Sequence, residues 1–337
     1  MKEQISFRTG EKRWKLAPVL VIAAGICWGI IGLFSYGLKD AGLSALQIAA
    51  LRCLTAGLCL GGFLLLTDRR LLRVHPRDLW MFVGTGVVSF ALFNVCYFLC
   101  MQQSTLAVSC TLLYTGPCFV MILSCILFQE RFTAGKGVSI LLSVLGCALV
   151  TGLFSQSGEF TGTALVIGLC SGFGYALYSI FGRLALAKYH ELTVVTYTFL
   201  FAALALLPFC HLPRMLVTIM TNRTALGNTL LLGLVSTLMP FLLYTKGLHH
   251  METGKASILT FVEPMVATVL SSLVFREAFR WNHALGMTVI LAALVILNLP
   301  ARQGTSRRAT HTIYYHFVPD VLLRCDLRQI NDRRRLT

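Results

Sequence analysis

The chain has 337 residues, 56% of them hydrophobic and 13% charged. Soluble domains carry about 25% charged residues, so most of this surface does not face water. The net charge of +15 does not mark a nucleic-acid binder, because the basic residues fall between apolar runs and in the two tails and form no interleaved aromatic-basic face.

Basic residues Lys12, Arg13 and Lys15 precede an uncharged stretch of 23 residues, Leu16 to Leu38. That is too long for a signal-peptide core and long enough to cross the ~30 Å hydrocarbon layer, so it predicts a retained first helix. Further apolar runs predict spans at 44–66, 79–101, 105–128, 136–154, 162–182, 192–212, 226–246, 254–275 and 282–300. From Leu79 to Gln129 no residue is charged. One helix of that length would be ~75 Å long, so Gln102-Gln103-Ser104 is expected to turn the chain between two crossings. The runs are continuous rather than alternating, which favours helices over a barrel. Twelve cysteines, eleven of them in or beside these runs, show no CxxC pair and no ligand-spaced His partners. They read as free thiols, with no metal site.

With the N-terminus in the cytoplasm, ten crossings return the C-terminus there. That orientation places 23 of the 29 Lys and Arg residues on the cytoplasmic side, five outside and Arg52 within a span. The bias predicts cytoplasmic termini.

A shift of 147 residues lays Tyr97 on Tyr244, Pro117 on Pro264, Leu123 on Leu270 and Ser124 on Ser271. The same shift lays Phe128, Glu130 and Phe132 on Phe275, Glu277 and Phe279. A shift of 143 lays Gly25-Ile-Cys-Trp-Gly29 over Gly168-Leu-Cys-Ser-Gly172, so both copies carry GxxxG. Five spans is an odd number, so the second copy would enter the membrane from the opposite side, giving two inverted repeats. The fold expected is therefore an all-α membrane protein of ten transmembrane helices. Its parts are a basic N-tail (1–15), a first five-helix repeat (16–154), a second, inverted one (162–300) and a basic C-tail (301–337) expected to be disordered.

The pattern Pro117…Glu130-Arg-Phe-Thr133, repeated as Glu263-Pro264…Glu277-Ala-Phe, resembles the EamA-domain family of the drug/metabolite transporter superfamily. Cys27-Trp28-Gly29 is similar to that family's usual opening. The resemblance covers roughly residues 16–300 and implies a ten-helix exporter of amino acids, metabolites or toxic compounds in the cytoplasmic membrane. The chain departs from this pattern after Pro300, continuing for 37 residues.

Glu263 is the only acid well inside a predicted span, and a carboxylate there should face protein or water. Ser257, Thr260 and Glu263 share one polar face. Glu263 either recognises a substrate amine, couples transport to protons, or is a neutral acid bonded near the kink that Pro264 makes. Trp28, Gly32 and Ser35 share a face of span one, and Ser171, Tyr175 and Tyr178 share the matching face of span six. Aromatics with polar tips suit a cavity for an amphiphilic metabolite, and equally suit plain helix packing. Asn94, Tyr97, Tyr114 and Tyr244 are further cavity candidates in spans three, four and eight. Pro117 and Pro264 should kink spans four and nine. The glycine pairs should allow close helix approach, within a bundle or between chains, so oligomeric state stays open. Glu130 and Glu277 read as solvated boundary residues that fix loops. Arg52 either snorkels, pairs with an acid or binds an anion. His249-His250 reads as a solvated pair. Gly254-Lys255-Ala256 lacks the remainder of a phosphate loop.

These features make the chain a secondary transporter, expected to export small metabolites by alternating access. The partners expected are a small-molecule substrate, the lipid bilayer and protons, with no cofactor, nucleic acid or catalytic residue. The rival readings are a membrane-embedded enzyme and a non-transporting receptor or scaffold.

Overall fold

The computed structural model describes residues 16–104, 106–151, 153, 161–274 and 280–298. Glu277 and both tails lie outside the described residues. Among those described there is no strand. Eight helical stretches are long and apolar enough to cross a bilayer.

The first stretch is α1 (Ala17–Gly29) followed by α2 (Ile31–Asp40), with a break at Ile30. The second is α3 (Ala45–Thr67), whose start is fixed by a capping box between Ser44 and Gln47. The third runs from α4 (Leu79–Val83) through a π-helical turn at Gly84–Ala91 into α5 (Leu92–Gln103). The fourth joins α6 (Leu106–Leu113) to α7 (Gly116–Phe128) through a break at Tyr114–Thr115. Pro117 sits in the first turn of α7, where its missing N–H costs nothing. Helix α8 (Ala134–Val150), capped by Thr133, has 17 residues, at the short limit for a crossing.

In the second half, α9 (Gly162–Leu186) and α10 (Glu191–Leu206) are unbroken. A short amphipathic helix, α11 (Leu212–Thr221), buries Met215 and Ile219 and exposes Val217 and Met220. The hydropathy pattern left this segment as the end of one span and a loop, because the helix is short and half polar. Helix α12 (Arg223–Gly233) passes through a second π turn at Leu234–Leu238 into α13 (Met239–His250). Helix α14 (Thr253–Leu259) breaks at Thr260–Phe261 before α15 (Val262–Val274), with Pro264 in the first turn of α15. The last described helix is α16 (Trp281–Asn298).

The repeat is visible in element boundaries as well as in residues. Moved by 147, Leu92–Gln103 becomes Met239–His250, and both helices leave a π turn at their start. The same shift carries Ala134 to Trp281, the first residues of α8 and α16.

Packing also exchanges the halves. Helix α1 packs on α13 and α15, while α9 packs on α5 and α7. Helix α3 packs on α10 and α8 on α16. The GxxxG pairs explain the closeness. A Cβ on Gly29 would stand 2.9 Å from the Glu263 carbonyl oxygen, and one on Gly172 would stand 2.8 Å from the Leu112 carbonyl oxygen. Each GxxxG therefore seats against the broken helix of the opposite half. A third close approach joins α8 to α16, where a Cβ on Gly146 would lie 2.8 Å from the Gly286 carbonyl oxygen.

The outward surface carries Leu66, Ile126, Leu141, Leu204, Leu273 and Val295, all strongly exposed. An apolar belt of this kind is stable against lipid tails and would aggregate in water. The chain is a multi-pass membrane protein.

Candidate functional site

A narrow aromatic-walled pocket lies between the halves. Its wall comprises Trp28 of α1, Phe90 of the first π turn, Phe93 of α5, Tyr175, Tyr178 and Ser179 of α9, and Phe241 and Tyr244 of α13. The rings interlock edge to face: Trp28 to Phe241 at 5.1 Å, Tyr178 to Phe241 at 4.9 Å and Phe93 to Tyr175 at 5.9 Å between centroids. Such contacts fix ring planes as well as distances.

Two hydroxyl contacts orient the buried tyrosines. Tyr178 Oη lies 2.6 Å from Thr245 Oγ1, and Tyr244 Oη lies 2.7 Å from Ser179 Oγ. Both pairs join α9 to α13, so the polar tips are satisfied without water and the aromatic faces are left to line the cavity.

A second, more polar cluster adjoins this wall. The Tyr114 ring lies 6.1 Å from that of Phe261, at the break that precedes Glu263. Tyr97 Oη lies 3.0 Å from Cys110 Sγ. Tyr175 stays on the pocket wall, its ring against Phe93. The guanidinium carbon of Arg52 of α3 sits 5.1 Å from the centre of the Phe90 ring.

The structure brings Trp28, Tyr175, Tyr178 and Tyr244 together on one wall; Thr260 and Glu263 flank the α14–α15 break with Tyr114 beside it, and Tyr97 contacts Cys110. Ser35, Asn94 and Ser171 do not line the cavity. The break at Ile30 interrupts the helical face expected to run from Trp28 through Gly32 to Ser35. Asn94 donates its side-chain amide to the Phe90 carbonyl one turn earlier, 2.8 Å. Ser171 is buried and donates to the Phe93 carbonyl, 3.3 Å, as a packing contact. Four wall residues were missed by sequence reasoning: Phe90, Phe93, Ser179 and Phe241. Phe241 precedes Tyr244 by three residues, so helical spacing alone would have placed it on the same face.

One end of the bundle is tied by polar contacts between the halves. The Glu130 carboxylate accepts from the N–H groups of Thr253 and Gly254, at 2.5 and 3.0 Å. Lys136 pairs with Glu252 at 2.7 Å, and, within the second half, Arg183 Nη1 donates to the carbonyls of Leu248, His249 and Met251. Glu130 is thus a half-buried helix cap rather than the solvated boundary residue expected. It also occupies the backbone amide of Gly254, in the fragment that resembles part of a phosphate loop. Nearby, Lys188 and Tyr189 both donate to the Asp78 carboxylate, at 3.0 and 2.7 Å.

Comparison with known proteins matches this architecture. The sequence profile described as the EamA-like transporter family matches residues 15–152 and again residues 162–299. The uncharacterized transporter YxxF of Bacillus subtilis is 25% identical over 87% of this chain and 93% of its own length. An uncharacterized transporter of Archaeoglobus fulgidus is 24% identical over 85% of this chain and 98% of its own. The uncharacterized inner membrane transporter YicL of Salmonella typhimurium is 25% identical, over 84% and 95% respectively. One solved crystal structure shares the fold with a TM-score of 0.69 at 17% identity, covering 84% of this chain and 96% of that one. With both repeats matched across nearly all the described residues, the chain belongs to the EamA-like transporter family.

Proposed function

We propose that the protein is a secondary transporter that exports small metabolites such as amino acids across the cytoplasmic membrane. It works by alternating access between two inverted five-helix repeats, residues 16–154 and 162–300. The observation that carries this reading is the aromatic cavity at the seam, where α1 and α5 of one half meet α9 and α13 of the other.

Ten crossings follow if α8 and α16 count as spans. Each is about 25 Å long, and they pack on one another as a pair. The contacts of α1 on α13 and α15 recur with the halves exchanged as those of α9 on α5 and α7, as expected for a two-fold axis. With five crossings per half that axis lies in the membrane plane, and one packing solution then supplies both the inward-open and outward-open states. Cytoplasmic termini are supported by the Lys and Arg distribution, and in that orientation the Glu130, Lys136, Arg183 and Asp78 contacts would face the cytoplasm.

Glu263 is the proposed proton site. A single carboxylate can hold either a proton or a substrate ammonium, and that exclusion couples outward movement of one to inward movement of the other.

A counterflow screen with the full-length protein in proteoliposomes tests the reading. Saturable uptake of a labelled metabolite against preloaded unlabelled metabolite is the expected result. Protein-free rates across amino acids and other small metabolites would contradict it.

A further inference from the structure

The two halves match in frame but not in what ties their ends. The link between α7 and α8, residues 129–133, meets the link between α13 and α14, residues 251–252. There Lys136 Nζ lies 2.7 Å from the Glu252 carboxylate and donates to the Arg131 carbonyl, 2.9 Å. The ammonium is the buried member, its side chain 7% exposed against 41% for Glu252. A Cβ on Gly254 would stand 2.9 Å from Met121 Sδ and 3.2 Å from Ser124 Oγ, so α14 starts hard against α7. This end of the seam is shut.

Under the 147-residue shift Glu130 has a counterpart of its own type in sequence, Glu277, but the ion pair has none. Lys136 falls on His283, and Glu252 answers to Thr105, which carries no charge. Contacts in the middle of the bundle differ in the same sense. The shift lays Gly86-Val-Val-Ser89 over Gly233-Leu-Val-Ser236, at the two π turns. Both serines are buried. Ser89 donates to the Gly174 carbonyl of α9, 2.7 Å, whereas Ser236 has no hydrogen-bond partner among the described residues. The 143-residue shift lays Ile31 on Gly174, and span one breaks at Ile30 where α9 is unbroken. Buried hydroxyls are normally paired, so Ser236 marks a contact that this conformation leaves unmade.

Two identical inverted copies would give two states of equal energy, one shut at each end. We infer that the Lys136–Glu252 pair removes that equality: it is a one-sided latch that holds its own end shut and biases the protein toward the conformation described. Losing Glu252 while the end stays shut leaves a buried ammonium without its counter-charge, which is strongly unfavourable. Parting the two links returns that ammonium to water, so the variant moves toward the opposite state. This deepens the alternating-access reading and rests on it for the existence of that second state.

The two ends can be followed separately. A Cβ on Gly247 would lie 3.1 Å from the Ala17 carbonyl oxygen, so α1 starts at the latch end. Helix α2, farther along the same crossing, therefore packs on α12 at the opposite end.

Amide hydrogen exchange of the full chain in proteoliposomes reads both ends at once. Glu252→Gln should exchange about fivefold faster over 130–136 and 251–259, and more slowly than wild type over 36–46 and 223–230. The slowing is the signature, because loss of a merely structural tie does not protect the far end. Lys136→Glu combined with Glu252→Lys should return both ends to wild-type rates. Lys136→Arg, which keeps the charge, should also match wild type and serves where the swapped chain does not fold. Wild-type exchange over 251–259 in Glu252→Gln, quickening at both ends, or quickening confined to the latch end would each overturn the inference. So would a swapped chain of native size-exclusion behaviour that stays fast at the latch end. Reciprocal exchange with no counterflow of any metabolite would leave the latch and remove the transporter reading. Counterflow with exchange unaltered by Glu252→Gln would remove the latch alone.

Discussion

The carboxylate of Glu130 caps the backbone amide of Thr253 across the boundary between the two repeats, Oε1 to N at 2.5 Å. A negative group at a helix N-terminus is favourable both as a hydrogen-bond acceptor and against the helix dipole. Here the helix is α14, whose far end breaks at Thr260–Phe261, immediately before Glu263. The cap thus joins one end of the bundle to the candidate site through a seven-residue rod.

Glu130→Gln keeps the size and loses the charge, at a cost of about 1–2 kcal/mol to this end of the bundle. Amide hydrogen exchange over residues 253–259 should quicken while exchange in α3 stays unchanged. Equal exchange in variant and wild type would show that Lys136–Glu252 and Arg183 hold the end without help.

Gly29 and Gly25 separate close packing from mere proximity. A Cβ at position 29 would meet Val266 Cβ at 2.6 Å and the Glu263 carbonyl oxygen at 2.9 Å, whereas at position 25 the nearest atom is 3.4 Å away. Gly29→Ala should therefore destabilise the detergent-solubilised protein by about 1–3 kcal/mol, with Gly25→Ala near neutral. Equal unfolding temperatures for the two variants would contradict this packing of α1 on α15.

Tyr178→Phe removes one hydroxyl and keeps the ring. It leaves Thr245 Oγ1 without its 2.6 Å partner, a loss of about 1 kcal/mol. Thermal stability should fall slightly and counterflow should persist, because the apolar wall is retained. Tyr178→Ala should abolish counterflow by opening the wall. Equal flux in the two variants would mean that the ring plays no part in the path.

Much of the fold was legible because lipid imposes simple rules: continuous apolar runs and, in this chain, a duplicated pattern. The 147-residue shift read from Tyr97, Pro117 and Glu130 recurs in the boundaries of α5 and α13. Less legible were departures from a uniform helix. A π turn inserts one extra residue and rotates everything beyond it, so a helical wheel drawn through Gly84–Ala91 misplaces Phe90, Phe93 and Asn94. The break at Ile30 did the same to Ser35. Trp28, Tyr175, Tyr178 and Tyr244 were found because large aromatics with polar tips are conspicuous at matching repeat positions. Ser179 was not, since a buried serine is ordinary until its partner Tyr244 is known. Glu130 was misjudged because the amides it caps lie 123 and 124 residues away in sequence.

The reading depends most on solute passing through the aromatic cavity between the repeats. Counterflow of the best substrate should be compared between wild type and Ser179→Phe, which adds a ring to this narrow space. Size-exclusion behaviour in detergent serves as the control for folding. A well-folded variant with flux reduced tenfold or more is the predicted result. Wild-type flux through the filled cavity would contradict the account.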